Sequence, residues 1–433
     1  MNIQEKYHPY LIFILSLSVL IGLQLASINP SAQDRFFDFS QEMLKRGPSF
    51  FPYVQGKPYP DYIALVMILS HTITNIFGHV SLFSVGLPYC MAGALIVTFT
   101  YLLGALQSTR LGLMGAFFCL LSWKFLDAMS SLDLDLFPAL ATIICIYLAH
   151  KNALSSDSPP YLEFFLLWLF AFFCRGPIGL LVPAMITGLY YFADRNWKIS
   201  FFLAVSAIWL FILTWLLLLL MAYKTGGTDF LRSVLEQEGI GRVVNEHAPR
   251  YYFFFTIGIL DYAFTSLFAI LVGMRFLGSI ISKRALQSKR KLLIFALQWM
   301  LVLILIFTIP ATKKARYIMA CVPAFALLSA YAFELKELTL FKIIINTILK
   351  AMPLLGGIIA ISCLSLPHIT TAAYYLLLIS MACFVCQLLF ARSRYHTVSI
   401  YLIALIQMFA IHLTIIEPIT LQSLSRATTI PLF

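Results

Sequence analysis

The chain has 433 residues, of which 61% are apolar and 11% charged, with a mean hydropathy of +0.89 and a formal net charge of +11. Soluble proteins sit near half apolar and a quarter charged, so this composition excludes a water-soluble enzyme and predicts a polytopic membrane protein without a sizeable soluble domain.

Runs of roughly 20 mainly apolar residues, the length that crosses a bilayer, follow one another from Tyr10 to about Thr414. Period-two alternation is missing, so helices rather than a barrel are expected to satisfy the backbone. Spans are predicted near 10–28, 81–106, 111–126, 133–150, 161–173, 176–192, 199–222, 251–275, 292–309, 317–333, 350–366, 373–391 and 397–416, with Ile63–Phe77 as a shorter candidate. The fold class is therefore an all-α polytopic membrane protein of about 12–14 transmembrane helices. The first run follows a short n-region whose only basic residue is Lys6. Its apolar stretch exceeds a typical signal-peptide core and many spans follow, so it reads as an uncleaved first helix rather than a cleaved leader.

Between the first span and residue 62, Phe36, Phe39 and Met43 recur at helical spacing, with Asp38, Gln41, Glu42 and Lys45 on other faces. That pattern predicts a short helix lying in the interface, able to roof a cavity. Asp34 and Arg35 open this helix and would sit at the cavity mouth; a carboxylate favoured at a helix N-terminus beside a solvated arginine is the plainer reading. Lys124 falls inside a predicted span. Asp133 and Asp135 follow at the start of the next one, where solvation or helix-dipole capping accounts for Asp135. Arg175 stands alone between two short spans, a costly position unless it faces a polar cavity.

Residues 223–250 concentrate Arg232, Glu236, Glu238, Arg242, Asn245, Glu246, His247 and Arg250 before an aromatic-rich span, and 310–316 packs Lys313, Lys314 and Arg316 between two apolar helices. Guanidinium and ammonium groups so placed suit the phosphate of a lipid carrier, or equally the ordinary anionic headgroups of a bilayer. His247 has three readings: a general acid or base, a metal ligand with Asp61, or a loop histidine bonded to backbone. The eight cysteines fall in or at the edges of apolar runs; Cys383 and Cys386 have redox spacing but lie within a span, which favours buried thiols. No long internal repeat is visible, which weighs against a transporter of two related halves.

The short loops at 150–160, 193–198, 282–291 and 391–396 are mostly basic, and the cluster Lys283, Arg284, Lys289, Arg290, Lys291 orients them towards the cytoplasm. The longer segments 29–62 and 223–250 and the short 310–316 then face outwards. Lys and Arg are shared almost evenly between the two faces, as expected if the outward loops hold cations for an anionic ligand.

Taken together, these segments resemble the lipid-carrier-dependent C-type glycosyltransferases (the GT-C fold), in the branch that holds protein O-mannosyltransferases and the aminoarabinose transferase of lipid A. The resemblance runs over residues 30–330. Arg35-Phe36 through Glu42-Met43-Leu44 resembles D-E-x-R-Y-x-x-x-x-x-E-M-L, and Pro52, Gln55-Gly56 and Tyr59 resemble x-P-x-x-N-G-x-x-Y. Ser131-Leu132-Asp133-Leu134 resembles T-L-D-M, and Arg175-Gly176-Pro177 resembles K-G-P. The N-x-x-R…H-x-x-P-x-Y-Y loop is matched by Arg242, His247, Pro249 and Tyr251, and S-K-R-x-x-Y-L-L-P by Thr312-Lys313-Lys314-Ala315-Arg316-Tyr317 through Pro323. The departures lie at the chemistry: the family's acidic pair falls on Ala32-Gln33, leaving Asp34 as the stand-in, and E-K-P-P is missing, with Asp61 the nearby carboxylate.

The resemblance implies a GT-C-like catalytic module over 1–333 followed by additional helices over 334–433. It implies transfer of one sugar, with inversion, from a polyprenyl-phosphate donor to a lipid, protein or glycan acceptor on the outer face of the bacterial inner membrane, without nucleic acid. Asp34 would take the acceptor proton. Arg242, Lys313, Lys314, Arg316 and Arg175 would meet the departing phosphate, and Arg35, Asp61, Asp133, His247, Tyr59 and Tyr317 would line the cavity. No cofactor is predicted; a divalent metal is compatible with the chemistry but not required by it. Two other classes share the outward cations: a flippase or exporter of an anionic or lipid-linked sugar, and a non-catalytic assembly partner.

Overall fold

A computed structural model describes residues 3–26, 30–155, 157–237, 252–281, 288–310, 313–364, 370–391, 393 and 396–416; for residues 3–5, 30–34, 277–281, 288–290, 370 and 415–416 it describes the backbone only. The architecture is all-α and polytopic. Helix α1 (Ile3–Ala26) leads into α2 (Pro30–Arg46), a two-stranded hairpin of β1 (Tyr53–Val54) and β2 (Lys57–Pro58), and α3 (Leu65–Phe77). Then come α4 (Leu82–Ala105), α5 (Thr109–Leu120), α6 (Trp123–Ser130), α7 (Leu136–Ser155), α8 (Tyr161–Arg175), α9 (Pro177–Ala193) and α10 (Trp197–Leu235). The described part of the chain continues with α11 (Ile257–Leu260), α12 (Thr265–Ile281), α13 (Ser288–Phe307), a 3-10 helix over Ala315–Cys321, α14 (Val322–Tyr331), α15 (Thr339–Cys363), α16 (Thr370–Leu389) and α17 (His396–Ile411).

Among the described residues, seven helices are long and apolar enough to cross a membrane, or eight if the α5–α6 pair, bent by 57°, is one broken span. Five more apolar helices are 10–17 residues long, including Leu65–Phe77, the shorter candidate of the sequence reading. Several expected spans are broken. The 251–275 run divides into a 3-10 turn at Phe253–Phe255, α11 and α12, and the 317–333 run is 3-10 as far as Cys321. Helix α10 runs past residue 222 into the expected outward loop, bending at Gly226 and Gly227, the latter with φ +66°.

The outer wall of α10 leaves Phe201 72% and Trp209 62% exposed. Such side chains on a continuous helix face suit lipid rather than water. Inside, Trp168, Trp299, Tyr89, Tyr190, Tyr262 and Tyr331 are fully buried. Local chemistry fixes the helix starts: Ser81 and Ser84 form a reciprocal capping box at α4, and the Ser108 hydroxyl accepts the Leu111 amide of α5 at 3.0 Å. Helices α4 and α5 approach so closely at Gly104 and Gly112 that a Cβ on Gly112 would lie 2.5 Å from the Tyr101 carbonyl. Small residues allow this backbone contact, a usual device where lipid gives no hydrophobic drive.

The predicted amphipathic helix is present as α2, with Phe36, Phe39 and Met43 all buried. It packs on α3 and the hairpin, and Phe36 and Phe39 enter an aromatic group with Tyr59, Tyr62 and Tyr89. Asp34 and Arg35 lie in its second turn rather than opening it.

Candidate active site

Four connections between helices converge at one place. The first is the α6–α7 turn. The α6 amides that lack an intrahelical partner are met by backbone: Trp123 N–H donates to the Ala263 carbonyl at 3.3 Å and Lys124 N–H to that of Asp261 at 2.9 Å. The turn then runs through Leu132 at φ +51°, the Asp133 amide donates to Ala128 O at 2.9 Å, and the Asp135 amide donates to Asp133 Oδ1 at 3.2 Å. A short acidic turn therefore projects two carboxylates from the head of α7, only 2% and 6% exposed.

The second connection joins α8 to α9. Arg175 is the last residue of α8; Gly176 follows at φ +76°, ψ −158°, a backbone region essentially confined to glycine, and Pro177 starts α9. Gly176 thus aims Arg175 back at the acidic turn, with Nε 2.8 Å from Asp135 Oδ1. Gly176→Ala is expected to cost about 1–3 kcal/mol in stability through backbone strain, read as a lowered unfolding temperature in detergent. An unchanged unfolding temperature would show that the turn relaxes.

The third is the 3-10 helix Ala315–Cys321, held where the buried Tyr262 hydroxyl donates to the Ala315 carbonyl at 2.9 Å. It presents Arg316, whose NH1 is 3.6 Å from Asp133 Oδ1 and whose Nε is 3.4 Å from Asp135 Oδ2. Both aspartates are buried, yet their titration diverges. Burial raises Asp133, and the neighbouring Asp135 charge adds to this, so that it titrates at about 6. Burial also pushes Asp135 upwards, but Arg175 and Arg316 outweigh it and hold that carboxyl below its usual range.

The fourth is the hairpin end, residues 59–62. Arg35 donates to the Tyr59 hydroxyl at 3.3 Å and lies 5.6 Å over its ring. Tyr59 and Tyr62 rings are 5.5 Å apart, and Tyr62 stacks on Phe36 at 6.1 Å. Burial, then Asp61, raises Tyr62, while Arg175, Arg316 and Arg35 act against them, which puts this phenol within electrostatic reach of both guanidinium clusters. Burial lowers Lys314, helped by repulsion from Arg316 and opposed by Asp61, so the exposed ammonium borders the same group.

Beside the charges lies a small open hollow lined by Asp135 and Tyr317 and by the apolar Pro138, Ile178, Val182, Phe307 and Ala320. Its polar groups are the Asp135 carboxylate, which Arg175 and Arg316 engage, and the Tyr317 phenol; the other walls are hydrocarbon. Tyr317 lies 6.0 Å from the Phe307 ring in this wall.

Of the residues picked from sequence, the structure brings together Arg175, Arg316, Lys314, Asp133 and Tyr317, and, on the aromatic side, Arg35, Tyr59 and Asp61. Lys313 turns its ammonium onto the Thr308 and Pro310 carbonyls past the end of α13. Asp34 belongs to α2, but its side chain lies outside the described residues, as do Arg242 and His247 altogether. Asp135 is corrected: it is not a solvated or capping carboxylate but the buried partner of Arg175. Lys124, expected within a span, sits in the short α6 and pairs with Asp127. Tyr62 and Tyr262 were missed. Tyr62 follows Asp61 in a polar loop and was findable; nothing in the sequence marks Tyr262. Among the described residues no three His, Cys, Asp or Glu side chains gather as a metal site.

By sequence, the chain matches no family model and no curated protein. Its structure resembles that of ArnT from Cupriavidus metallidurans bound to undecaprenyl phosphate, with TM-score 0.72 and 15% identity over 95% of this chain and 77% of that one. The apo state of the same protein gives 0.68 and 14% over 94% and 77%. The apo oligosaccharyltransferase of Archaeoglobus fulgidus gives 0.51 and 11% over 94% and 57%. The chain has the GT-C fold.

Proposed function

We propose that this chain is a membrane glycosyltransferase that moves a sugar, with inversion, from a polyprenyl-phosphate donor to a lipid, protein or glycan acceptor on the periplasmic face of the bacterial inner membrane. The observation that carries the reading is the meeting of two arginines, one buried and one partly exposed, beside an apolar-walled hollow. Arg175 and Arg316 meet on Asp135, which lines the hollow, and Pro138, Ile178, Val182 and Phe307 form its hydrocarbon side. The likeness to a protein bound to undecaprenyl phosphate supports it. The basic cluster at 283–291 suits the cytoplasmic side by the positive-inside tendency, and segment 310–316, one apolar run later, is then on the periplasmic side in this reading.

In the reaction the bond between the sugar C1 and the phosphate oxygen breaks, and the acceptor oxygen bonds to C1 from the opposite face. The acceptor's hydroxyl proton passes to a carboxylate, and the lipid leaves as a phosphate monoester with one more negative charge. Preorganised cations lower the barrier by meeting that charge as it forms. Arg316 does so, with Arg175 fixing Asp135 beside it and Lys314 close by; Lys313 and, outside the described residues, Arg242 are the further cations of this reading.

Asp133 is ill placed to take the proton, being 2% exposed and engaged by Arg316 and the Asp135 amide. It orients Arg316. Asp34, on the helix that carries Arg35 to Tyr59, is the base, and Tyr59, Asp61 and His247 border the sugar. Asp34→Asn should therefore cut transfer by about 10²–10⁴-fold while leaving donor-lipid binding intact. Equal turnover in the two proteins would remove Asp34 from the chemistry; an exporter using the same cations would be indifferent to the change.

A further inference from the structure

Both guanidinium groups of the site are engaged by carboxylates of the chain itself. Arg175 is bound at 2.8 Å by Asp135, with both side chains buried, whereas Arg316 lies 3.4 Å from Asp135 and 3.6 Å from Asp133 with its side chain 29% exposed. The two arginines thus differ in kind. Arg175 is locked, and Arg316 is held more loosely between two carboxylates and stays partly exposed.

This matters for turnover. The donor is a phosphate diester with one charge, and the product a monoester carrying about −1.5 to −2 near neutral pH. A purely cationic pocket would hold the product more tightly than the substrate and stall after each transfer. Release of product sets the rate of many enzymes that bind their ligands in enclosed sites.

We propose that Asp133 and Asp135 are an internal stand-in for the ligand phosphate: Arg316 turns from them to the lipid phosphate on binding, and their reclaiming of Arg316 drives the polyprenyl phosphate product out. The inference rests on the glycosyltransferase reading above. Asp133 is the adjustable member. It accepts the Asp135 amide at 3.2 Å and faces Arg316, whereas Asp135 cannot be changed without stranding Arg175. The groups in electrostatic reach of Asp133 are Asp135 on its own turn, Arg316 on the 3-10 helix, Lys124 on α6, and the phenols of Tyr89 on α4 and Tyr262 before α12. Because Asp133 titrates at about 6, acidification removes the same competing charge that a neutral substitution removes.

The test measures binding of undecaprenyl phosphate to the full chain in nanodiscs for wild type, Asp133→Asn and Asp133→Glu. Asp133→Asn should bind the lipid about tenfold more tightly, with turnover and donor KM both lowered, and Asp133→Glu, which restores the carboxylate, should bind it less tightly than Asp133→Asn. The ratio of wild-type to Asp133→Asn affinity should close as the pH falls through about 6, since Asp133 itself is then neutral and the ligand's own ionisation is common to both proteins. That comparison holds even where one variant is less stable. Equal or weaker binding by Asp133→Asn at neutral pH overturns the inference alone. No binding by wild type overturns the glycosyltransferase reading, and the inference with it.

Discussion

Replacing Arg316 with alanine should slow transfer and weaken donor binding together, by about 10²–10³-fold in kcat/KM. Arg316 spans both carboxylates of the acidic turn and stays partly exposed, so it is the cation best placed to follow charge from the donor to the departing phosphate. The loss should not come from unfolding. Asp135 retains Arg175 when Arg316 is removed, and Asp133, already raised to about 6, takes up a proton at little cost. Arg316→Lys should recover only part of the activity, because a point charge cannot reproduce the planar fork that meets two oxygens at once. Steady-state kinetics with a lipid-binding measurement would check this, and near-normal kcat/KM in Arg316→Ala would refute it.

Arg175→Leu should fail in a different way, by about 3–5 kcal/mol of stability, because it leaves Asp135 buried without its counter-charge. The pair Arg175→Leu with Asp135→Leu should regain most of that stability, since two apolar groups need no partners, while transfer stays absent. Thermal unfolding in detergent separates the cases. If the single and double variants unfold alike, the ion pair does not hold the turn between α8 and α9 against the head of α7.

The fold was largely legible because a membrane chain displays its architecture in composition. Lipid satisfies no backbone group, so long apolar runs must be helices, and α2 announced itself through Phe36, Phe39 and Met43. What hydropathy could not show was where an apolar run breaks. Residues 251–275 and 317–333 are mainly apolar, yet they break where bonds such as Lys124 N–H to Asp261 O and Tyr262 OH to Ala315 O form, and those partners are distant in sequence.

The site divides in the same way. Arg175 was visible because an isolated cation between spans needs a reason, and Arg316 because basic residues cluster beside it. Asp135 was misread because its partner is 40 residues away, and near a helix start a solvated carboxylate is the simpler expectation. Tyr262 carries no signal at all, since a tyrosine in an aromatic-rich run looks like any other core residue until its hydroxyl is seen on the Ala315 carbonyl.

The first measurement to make is transfer itself: the purified chain in nanodiscs, offered polyprenyl-phosphate donors labelled in the sugar together with a membrane extract as acceptor, with Asp34→Asn and Arg316→Ala alongside. Label should leave the lipid for an acceptor only with wild type, and polyprenyl phosphate should appear in equal amount. Label that stays on the lipid in all three proteins, with the donor bound but unconsumed, would contradict a glycosyltransferase and leave a carrier of lipid-linked sugars in its place.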